Sequence, residues 1–508
     1  MFSTSYSAVL CGVESRPVRV EADVSNGLPM FQMVGYLASE VKEAQERVRT
    51  AIHNSDVLLA PKKVTVSLSP ADLRKAGSGF DLPIAAAVLA AYEYFSQEAL
   101  EGVFIAGELS LGGNVNPIHG VLPLVDGAKK SGYRVCIVPK KNEREAAMIE
   151  GIEVIGVSAL REMILYFQGK KEIPSCRDSS WMTEENRKKG EDFCEVNGQG
   201  LLKRAAEVAV SGMHHFLMIG PPGAGKSMIA KRIPSILPEM TMEERLEISK
   251  IYSVAGLLSS EHPLLWERPF RAPHHTITPQ ALIGGGRNPK PGEISLAHRG
   301  VLFLDEMTEF QKTTLEILRQ PLEDREVCIA RTGGRYVFPA HTMIVGAMNP
   351  CRCGYYPNRE RCSCTEAEVR RYLQRISQPL LDRMDISAEA AEVSYCDLQC
   401  QTKNESSDAI RERVSEAHKR QKQRYSGTEF YFNSDLTSAG IREFCVLSKD
   451  AKKLLEQVFD RWKISARAYH KIMKVSQTIA DLEGARKIEK RHVAEALSYR
   501  TSHEKFWK

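Results

Sequence analysis

The sequence predicts an α/β multidomain protein with a doubly wound, nucleotide-binding core, and three observations carry that expectation. Gly220-Pro221-Pro222-Gly223-Ala224-Gly225-Lys226-Ser227 fits G-x-x-x-x-G-K-[ST] in full. The apolar run Phe216 to Ile219 before it reads as a buried parallel strand, and Met228 to Ile233 after it opens a helix. A second apolar run, Val301 to Leu304, delivers Asp305 and Glu306 from its end. The glycines let backbone N–H groups turn inward on a phosphate. Lys226 then reaches the outer phosphates and the Ser227 hydroxyl ligates magnesium. Asp305 holds the same magnesium through water, and Glu306 polarises an attacking water. The expected ligand is Mg·ATP.

The 508 residues allow two to four domains with ample core. A composition of 43% hydrophobic and 26% charged residues is that of a globular protein. No apolar run reaches the length of a membrane span, and the first residues lack the regions of a signal peptide, so a cytoplasmic location without membrane contact is expected. The net charge of +5 is too mild to argue for nucleic acid by itself. Twelve cysteines in such a chain point to reduced thiols, with room for a metal site.

Residues 1–168 carry a mixed α+β pattern. Val18 to Val24 and Lys63 to Ser69 alternate as strands. Ser39 to Ile52 and Leu82 to Ala91 read as helices, the second buried. Phe104 to Ile118 looks like a hairpin with a glycine turn, and Glu145 to Met148 with Ala159 to Phe167 complete the unit. Residues 169–191 are polar and without apolar period, the best linker candidate. A helix over Leu201 to Val210 then leads into the phosphate loop. Asp305 lies 79 positions after Lys226, more than one crossover needs, and the surplus includes Arg271 to His275 and a glycine- and cation-rich stretch with Arg287 and Lys290. Glu326 to Arg331 and Arg335 to Phe338 flank Thr332-Gly-Gly334 as a second, cation-tipped hairpin. In a ring motor Arg331, Arg335, Arg287 and Lys290 could track a phosphate backbone. A third strand, Met343 to Met348, ends in Asn349, suited to orienting water or touching the γ-phosphate.

Cys351 and Cys353, with Cys362 and Cys364, form two C-x-C pairs around a loop and could surround a structural zinc. After Asp385 the chain reads as helical: Ala409 to Tyr425, rich in Arg and Lys and more often a solvated face than a nucleic-acid site, then Ser448 to Trp462, Ala466 to Leu482 with Ser465 as N-cap, and Glu489 to Tyr499. The expected division is 1–168, a linker at 169–191, a core at 192–395 and a helical region at 396–508.

Two resemblances add to this. IAGELSLGGNVNPIHG, after KAGSGFDLPIAAAVLAA, is similar to the proteolytic (S5-type) domain of Lon proteases. That fold uses a Ser–Lys dyad, but Asp81 falls at the serine position and Leu122 at the lysine position, so the resemblance implies a Lon-like domain without peptidase activity. Ser78 is the residue that could overturn this. GPPGAGKS, FRAPHHT, PGEISLAHRGVLFLDEM, RQPLEDREV and MNPCRCGYY resemble the YifB/ComM family of magnesium-chelatase-like AAA+ ATPases, as does the C-terminal SARAYHKIMKVSQTIADLEG. The resemblance implies an AAA+ core whose inserted hairpins point into a pore, with a C-terminal helical lid. It maps Arg383 to an arginine finger acting in the neighbouring subunit and Arg467 to the sensor arginine that closes the lid on the γ-phosphate. It also implies a homo-oligomeric, hexameric ring acting on single-stranded or branched DNA, a helicase promoting branch migration in recombination and natural transformation. The alternatives are a chelatase-type motor remodelling a partner protein, and an ATP-gated scaffold.

Overall fold

The computed structural model describes residues 1–176, 191–331, 333–392 and 404–507. Most of the expected linker, the expected boundary at 395/396 and Thr332 lie outside the described residues.

The N-terminal part is a sheet around one buried helix. Its strands are β1 (Phe2–Cys11), β2 (Glu14–Ser25), β3 (Met30–Val34), β4 (Lys63–Ser69), β5 (Val103–Ile105), β8 (Val135–Pro139) and β9 (Glu153–Val157), in the order β3-β4-β2-β1-β5-β8-β9. A small hairpin of β6 (Glu108–Leu109) and β7 (Val115–Asn116) stands beside it. The helix Asp81–Ala91 is buried along its whole length, which explains an apolar run with no amphipathic period. The expected hairpin over Phe104 to Ile118 is therefore corrected: Phe104 lies in a central strand parallel to β1 and β8, and only the later residues pair as a hairpin. The expected helix over Ser39 to Ile52 is two, Ser39–Lys42 and Ala44–His53. Strand β1 was not read from the sequence because its inward residues are Ser3, Ser5 and Ser7. Small side chains let it approach the buried helix closely, and the Ser5 hydroxyl donates to the Pro83 carbonyl at 2.8 Å.

The core is a parallel sheet, β10 (Phe216–Ile219), β11 (Phe270–Arg271), β14 (Val301–Leu304), β17 (Met343–Met348) and β18 (Ile386–Glu389), in the order β11-β14-β17-β10-β18. Strands β10, β14 and β17 are buried on both faces, which is why they read as continuous apolar runs rather than alternating ones. Strand β18 corrects the expectation that the chain is helical directly after Asp385; it pairs in parallel with β10. Two antiparallel hairpins interrupt the core: β12 (Gly284–Gly285) with β13 (Lys290–Pro291), and β15 (Glu326–Arg331) with β16 (Gly334–Pro339).

The remaining surplus before Asp305 does not project freely. Helix Met242–Ala255, opened by a Thr241/Glu244 capping box, packs against helix Val121–Lys130 of the N-terminal part. Leu264 is buried with Val121 and Leu124, and Lys250 pairs with Asp126 at 2.8 Å. Gly12 also bridges Val337 of β16, where a Cβ would lie 2.2 Å from a carbonyl oxygen. The N-terminal part is thus docked onto the inserts of the core.

The C-terminal helices are Ser407–Arg424, Ser438–Phe444, Lys449–Trp462, Ala466–Leu482 and Lys490–Trp507. Ser465 caps its helix as expected, accepting from the Ala468 N–H at 3.3 Å. The cations of Ser407–Arg424 are largely committed to structure: Arg413 pairs with Glu207 and Glu405, Arg420 with Glu416, and Arg424 with Asp481. Among the described residues no helix is long and apolar enough to cross a membrane.

Candidate active site

Three parallel strands end at one edge and place the site there, where ligands of open α/β sheets bind. The phosphate loop follows β10. Gly223 and Gly225 take φ of 76° and 81° with open space around them, so it is backbone conformation that requires glycine. At Gly220 the reason is crowding, since a Cβ would lie 2.6 Å from that of Ala390. Helix Lys226–Ile236 starts at the loop's end, aiming its free N–H groups at the same point.

The predicted side chains converge. Lys226 Nζ donates to the carbonyls of Gly220 at 2.7 Å and Pro221 at 2.8 Å, and to Asn349 Oδ1 at 3.2 Å. Burial lowers its pKa to about 8, against the opposing pull of Asp305. The Ser227 hydroxyl donates to Asp305 Oδ2 at 2.7 Å. These two oxygens, one from the first turn of the helix after the phosphate loop and one from the end of β14, fit a shared magnesium, and the ion would supply charge neutralisation at bound phosphates. Glu306 adopts φ 48°, a left-handed conformation uncommon outside glycine, and its carboxylate is 62% exposed. His275 Nδ1 lies 3.5 Å from that carboxylate, and the His274 ring sits 4.1 Å from the His275 ring. The sequence reading noted His275 only within an insertion; its place beside the candidate base depends on how the insert folds back.

The cavity at the phosphate loop holds about 470 Å³. Gln199, Met228, Tyr355, Arg361 and Glu392 line it beside the loop residues. Neither Tyr355 nor Arg361 was anticipated, because they sit among the cysteines, where the expected chemistry was metal binding. The four sulfurs do come together: Cys351, Cys353, Cys362 and Cys364 have Sγ atoms all within 4.8 Å of one another, a set able to hold a metal.

Arg467 lines a cavity of about 430 Å³ together with Arg383 and Lys471, between the core and the C-terminal helices, and is not in the lining of the cavity beside the phosphate loop. The reason is the seating of helix Ala466–Leu482, which packs on helix Gly200–Gly212 and whose Lys471 donates to the Met384 carbonyl at 2.7 Å. Arg383 itself donates to the Pro379 carbonyl at 2.6 Å and pairs with Glu323. Asp385 anchors this corner: burial alone would raise its pKa, but His214 and Lys471 hold it well below the carboxylate range.

The inserted cations divide. Arg287 and Arg331 line a cavity of about 580 Å³ with Lys42, Arg74 and Tyr36 of the N-terminal part. Arg335 instead turns to Glu326 and Cys328, and Lys290 stands exposed in β13 outside this lining. The contribution of Lys42 and Arg74 had no sequence signal, since it arises from domain docking.

In the N-terminal part, Asp81 is fully buried, accepts two hydrogen bonds from Arg47 at 2.8 and 2.9 Å and one from the Leu109 N–H at 3.1 Å. Leu122 is fully buried. Asp81 is thus held in an ion pair and Leu122 in the apolar interior, and Ser78 is half-buried.

A parallel sheet with a phosphate loop, an acidic pair on the neighbouring strand end and a polar third strand end defines a P-loop ATPase of the AAA+ type. Comparison with known proteins agrees. Residues 192–398 match the family model of magnesium chelatase subunit ChlI, residues 20–142 match a model described as subunit ChlI of Mg-chelatase, and residues 404–500 match the ChlI C-terminal model. The chain is 40% identical over 499 residues to competence protein ComM of Haemophilus influenzae, covering 97% of this chain and 96% of that one. It is 39% identical over 500 residues to the uncharacterized protein YifB of Escherichia coli, covering 98% and 97%. A stretch of 63 residues, 12% of this chain and 11% of the other, is 41% identical to Lon protease 2 of Bacillus subtilis. The chain belongs to the ComM/YifB family of magnesium-chelatase-like AAA+ ATPases.

Proposed function

We propose that this ATPase is a ring motor acting on DNA, a helicase or branch-migration factor that handles single-stranded or branched DNA in recombination, and that its Lon-like domain has no peptidase activity. Lys226 exchanges the carbonyls of Gly220 and Pro221 for the outer phosphates of ATP. Ser227 and Asp305 hold magnesium, Glu306 takes the proton of the attacking water, and Asn349 orients that water against the γ-phosphate. Arg383 serves a neighbouring subunit's site as the arginine finger, and Arg467, which lines the same cavity, acts beside it.

The observation that carries the DNA reading is the cavity between the N-terminal part and the inserted hairpins. Among the described residues, Lys42, Arg74, Arg287 and Arg331 around it are in no ion pair, and Tyr36 beside them is 44% exposed. Uncompensated cations with an aromatic face suit a single strand, whose phosphates supply the missing charge and whose bases stack. The relative named competence protein ComM fits a role with incoming DNA.

Steady-state ATP hydrolysis with and without single-stranded DNA, at low and moderate salt, tests this. The expected result is a several-fold stimulation that weakens with salt. The Lys42→Ala/Arg74→Ala double variant should keep its DNA-free rate, need about tenfold more DNA and show a shallower salt slope. Hydrolysis indifferent to DNA would shift the reading to a chelatase-type motor remodelling a protein.

A further inference from the structure

The cysteine cluster and the nucleotide cavity are two faces of one loop. Residues 351–364 leave β17 just after Asn349 and contain no helix or strand of their own. Cys351 and Cys362 are buried at 0% and 8% exposure, and the sulfurs of Cys351, Cys353 and Cys362 lie 3.3, 3.5 and 3.8 Å apart. A tetrahedral ion with sulfur bonds of about 2.3 Å separates its ligands by about 3.8 Å, so the set fits with slight adjustment. On its other side the loop presses on the phosphate loop. Gly354 has φ 89°, and a Cβ there would lie 2.5 Å from Cδ of Pro222. Between Cys353 and Cys362 come Tyr355 and Arg361, which both line the nucleotide cavity. The Arg361 guanidinium lies 4.1 Å over the Tyr355 ring and pairs with Glu392 at 2.7 Å.

We propose that the four cysteines hold a thiophilic d¹⁰ cation, zinc, and that this ion fixes the Tyr355–Arg361 pair as the platform for the nucleotide's base, so that metal occupancy sets ATP affinity. The phosphates are served by Gly220 to Ser227, which leaves the cation-backed aromatic face for the base. The loop has no helix or strand to set these two side chains, and the cysteines flank them on both sides, so an ion held there ties down both ends of the segment that carries them. Fixing the platform before binding removes the ordering cost from the binding step. The proposal rests on nucleotide binding at the phosphate loop and is independent of DNA.

The test uses the full chain without DNA, measuring metal by elemental analysis and binding of a fluorescent ATP analogue, with inorganic tripolyphosphate as the probe that lacks a base. Stoichiometric zinc is expected in the unmodified protein. Cys353→Ser/Cys362→Ser should lose the zinc and weaken ATP binding by about tenfold or more while tripolyphosphate binding stays unchanged, which also shows that the core is folded. Tyr355→Ala should keep the zinc and reproduce the selective loss for ATP. Protein purified without metal, with the four cysteines as free thiols or disulfides, would overturn the proposal. So would zinc-free variants with unchanged ATP affinity, or a Tyr355→Ala effect equal for ATP and tripolyphosphate. An unmodified chain that binds neither probe would sink the ATPase reading itself and this inference with it.

Discussion

The cavity at the phosphate loop and the cavity at Arg383 differ in what each lacks. The first lies beside the phosphate loop, where Lys226 is already hydrogen-bonded to Asn349 and Ser227 to Asp305, and no arginine of the C-terminal helices is in its lining. The second gathers Arg383, Arg467 and Lys471 but has no phosphate loop. They share no lining residue. In the ring proposed above, the second cavity of one copy would meet the phosphate loop of the next. Arg383 is meanwhile occupied by Glu323 and the Pro379 carbonyl, so a docking neighbour has to replace those partners.

That comparison breaks first at Arg383. Arg383→Ala should leave ATP affinity unchanged and lower turnover by about 10³- to 10⁵-fold. Mixing it with Lys226→Ala, which should not bind nucleotide, should restore activity in proportion to the mixed interfaces formed. A mixture as inactive as its parts would place Arg383 in its own subunit's site or remove it from catalysis. Glu306→Gln comes next: bound ATP with turnover down by about 10²- to 10⁴-fold. Near-normal hydrolysis by that variant would reassign the base, with His275 the neighbour to examine. Arg467→Ala sharpens the pairing of the two arginines. It should lower turnover less than Arg383→Ala, with nucleotide affinity of the isolated chain unaffected; a large loss of affinity in monomeric protein would return Arg467 to its own phosphate loop.

The smallest effect is a pH dependence. The free site holds Lys226 at a pKa of about 8 because burial penalises its charge. Phosphate binds the charged form, so below that pH the lysine is ready, and above it binding has to take up a proton. ATP affinity should therefore fall by roughly tenfold between pH 7 and pH 9. A flat profile over that range would show that Lys226 stays charged in the free protein.

Buried polar groups elsewhere follow the opposite logic. Asp81 stands where the Lon-like resemblance expects a nucleophile, but its carboxylate is consumed by Arg47 and the Leu109 N–H. Asp81→Ala should cost stability, about 1–3 kcal/mol in denaturant unfolding, because Arg47 loses its two-bond partner and the Leu109 N–H its acceptor. It should leave ATP hydrolysis by the folded fraction intact.

The chemistry of the nucleotide site was legible in the linear sequence because each part sits at a strand end, and a buried parallel strand announces itself as a short apolar run. Phe216 to Ile219, Val301 to Leu304 and Met343 to Met348 all did so, and the residues that follow them meet in space as expected. The amphipathic helix Ala466–Leu482 and its Ser465 cap were equally plain, since both depend on local spacing. Strand β1 was hidden by its inward serines, and β18 by its sequence Ile386-Ser-Ala-Glu389, which has one large apolar residue where β10 and β14 have four.

The sequence by itself determined which groups are available to a ligand: the phosphate loop Gly220–Ser227, the oxygens of Ser227 and Asp305, and four closely spaced cysteines. Only the tertiary structure decided which groups share a cavity. Docking of the N-terminal part brought Lys42 and Arg74 to Arg287 and Arg331, separated in the chain by more than two hundred positions. Seating of helix Ala466–Leu482 carried Arg467 to Arg383, and a glycine pressed on Pro222 brought Tyr355 to the nucleotide cavity. Periodicity and motif spacing act over a few residues, whereas these placements come from long-range packing of buried faces, which no local pattern records.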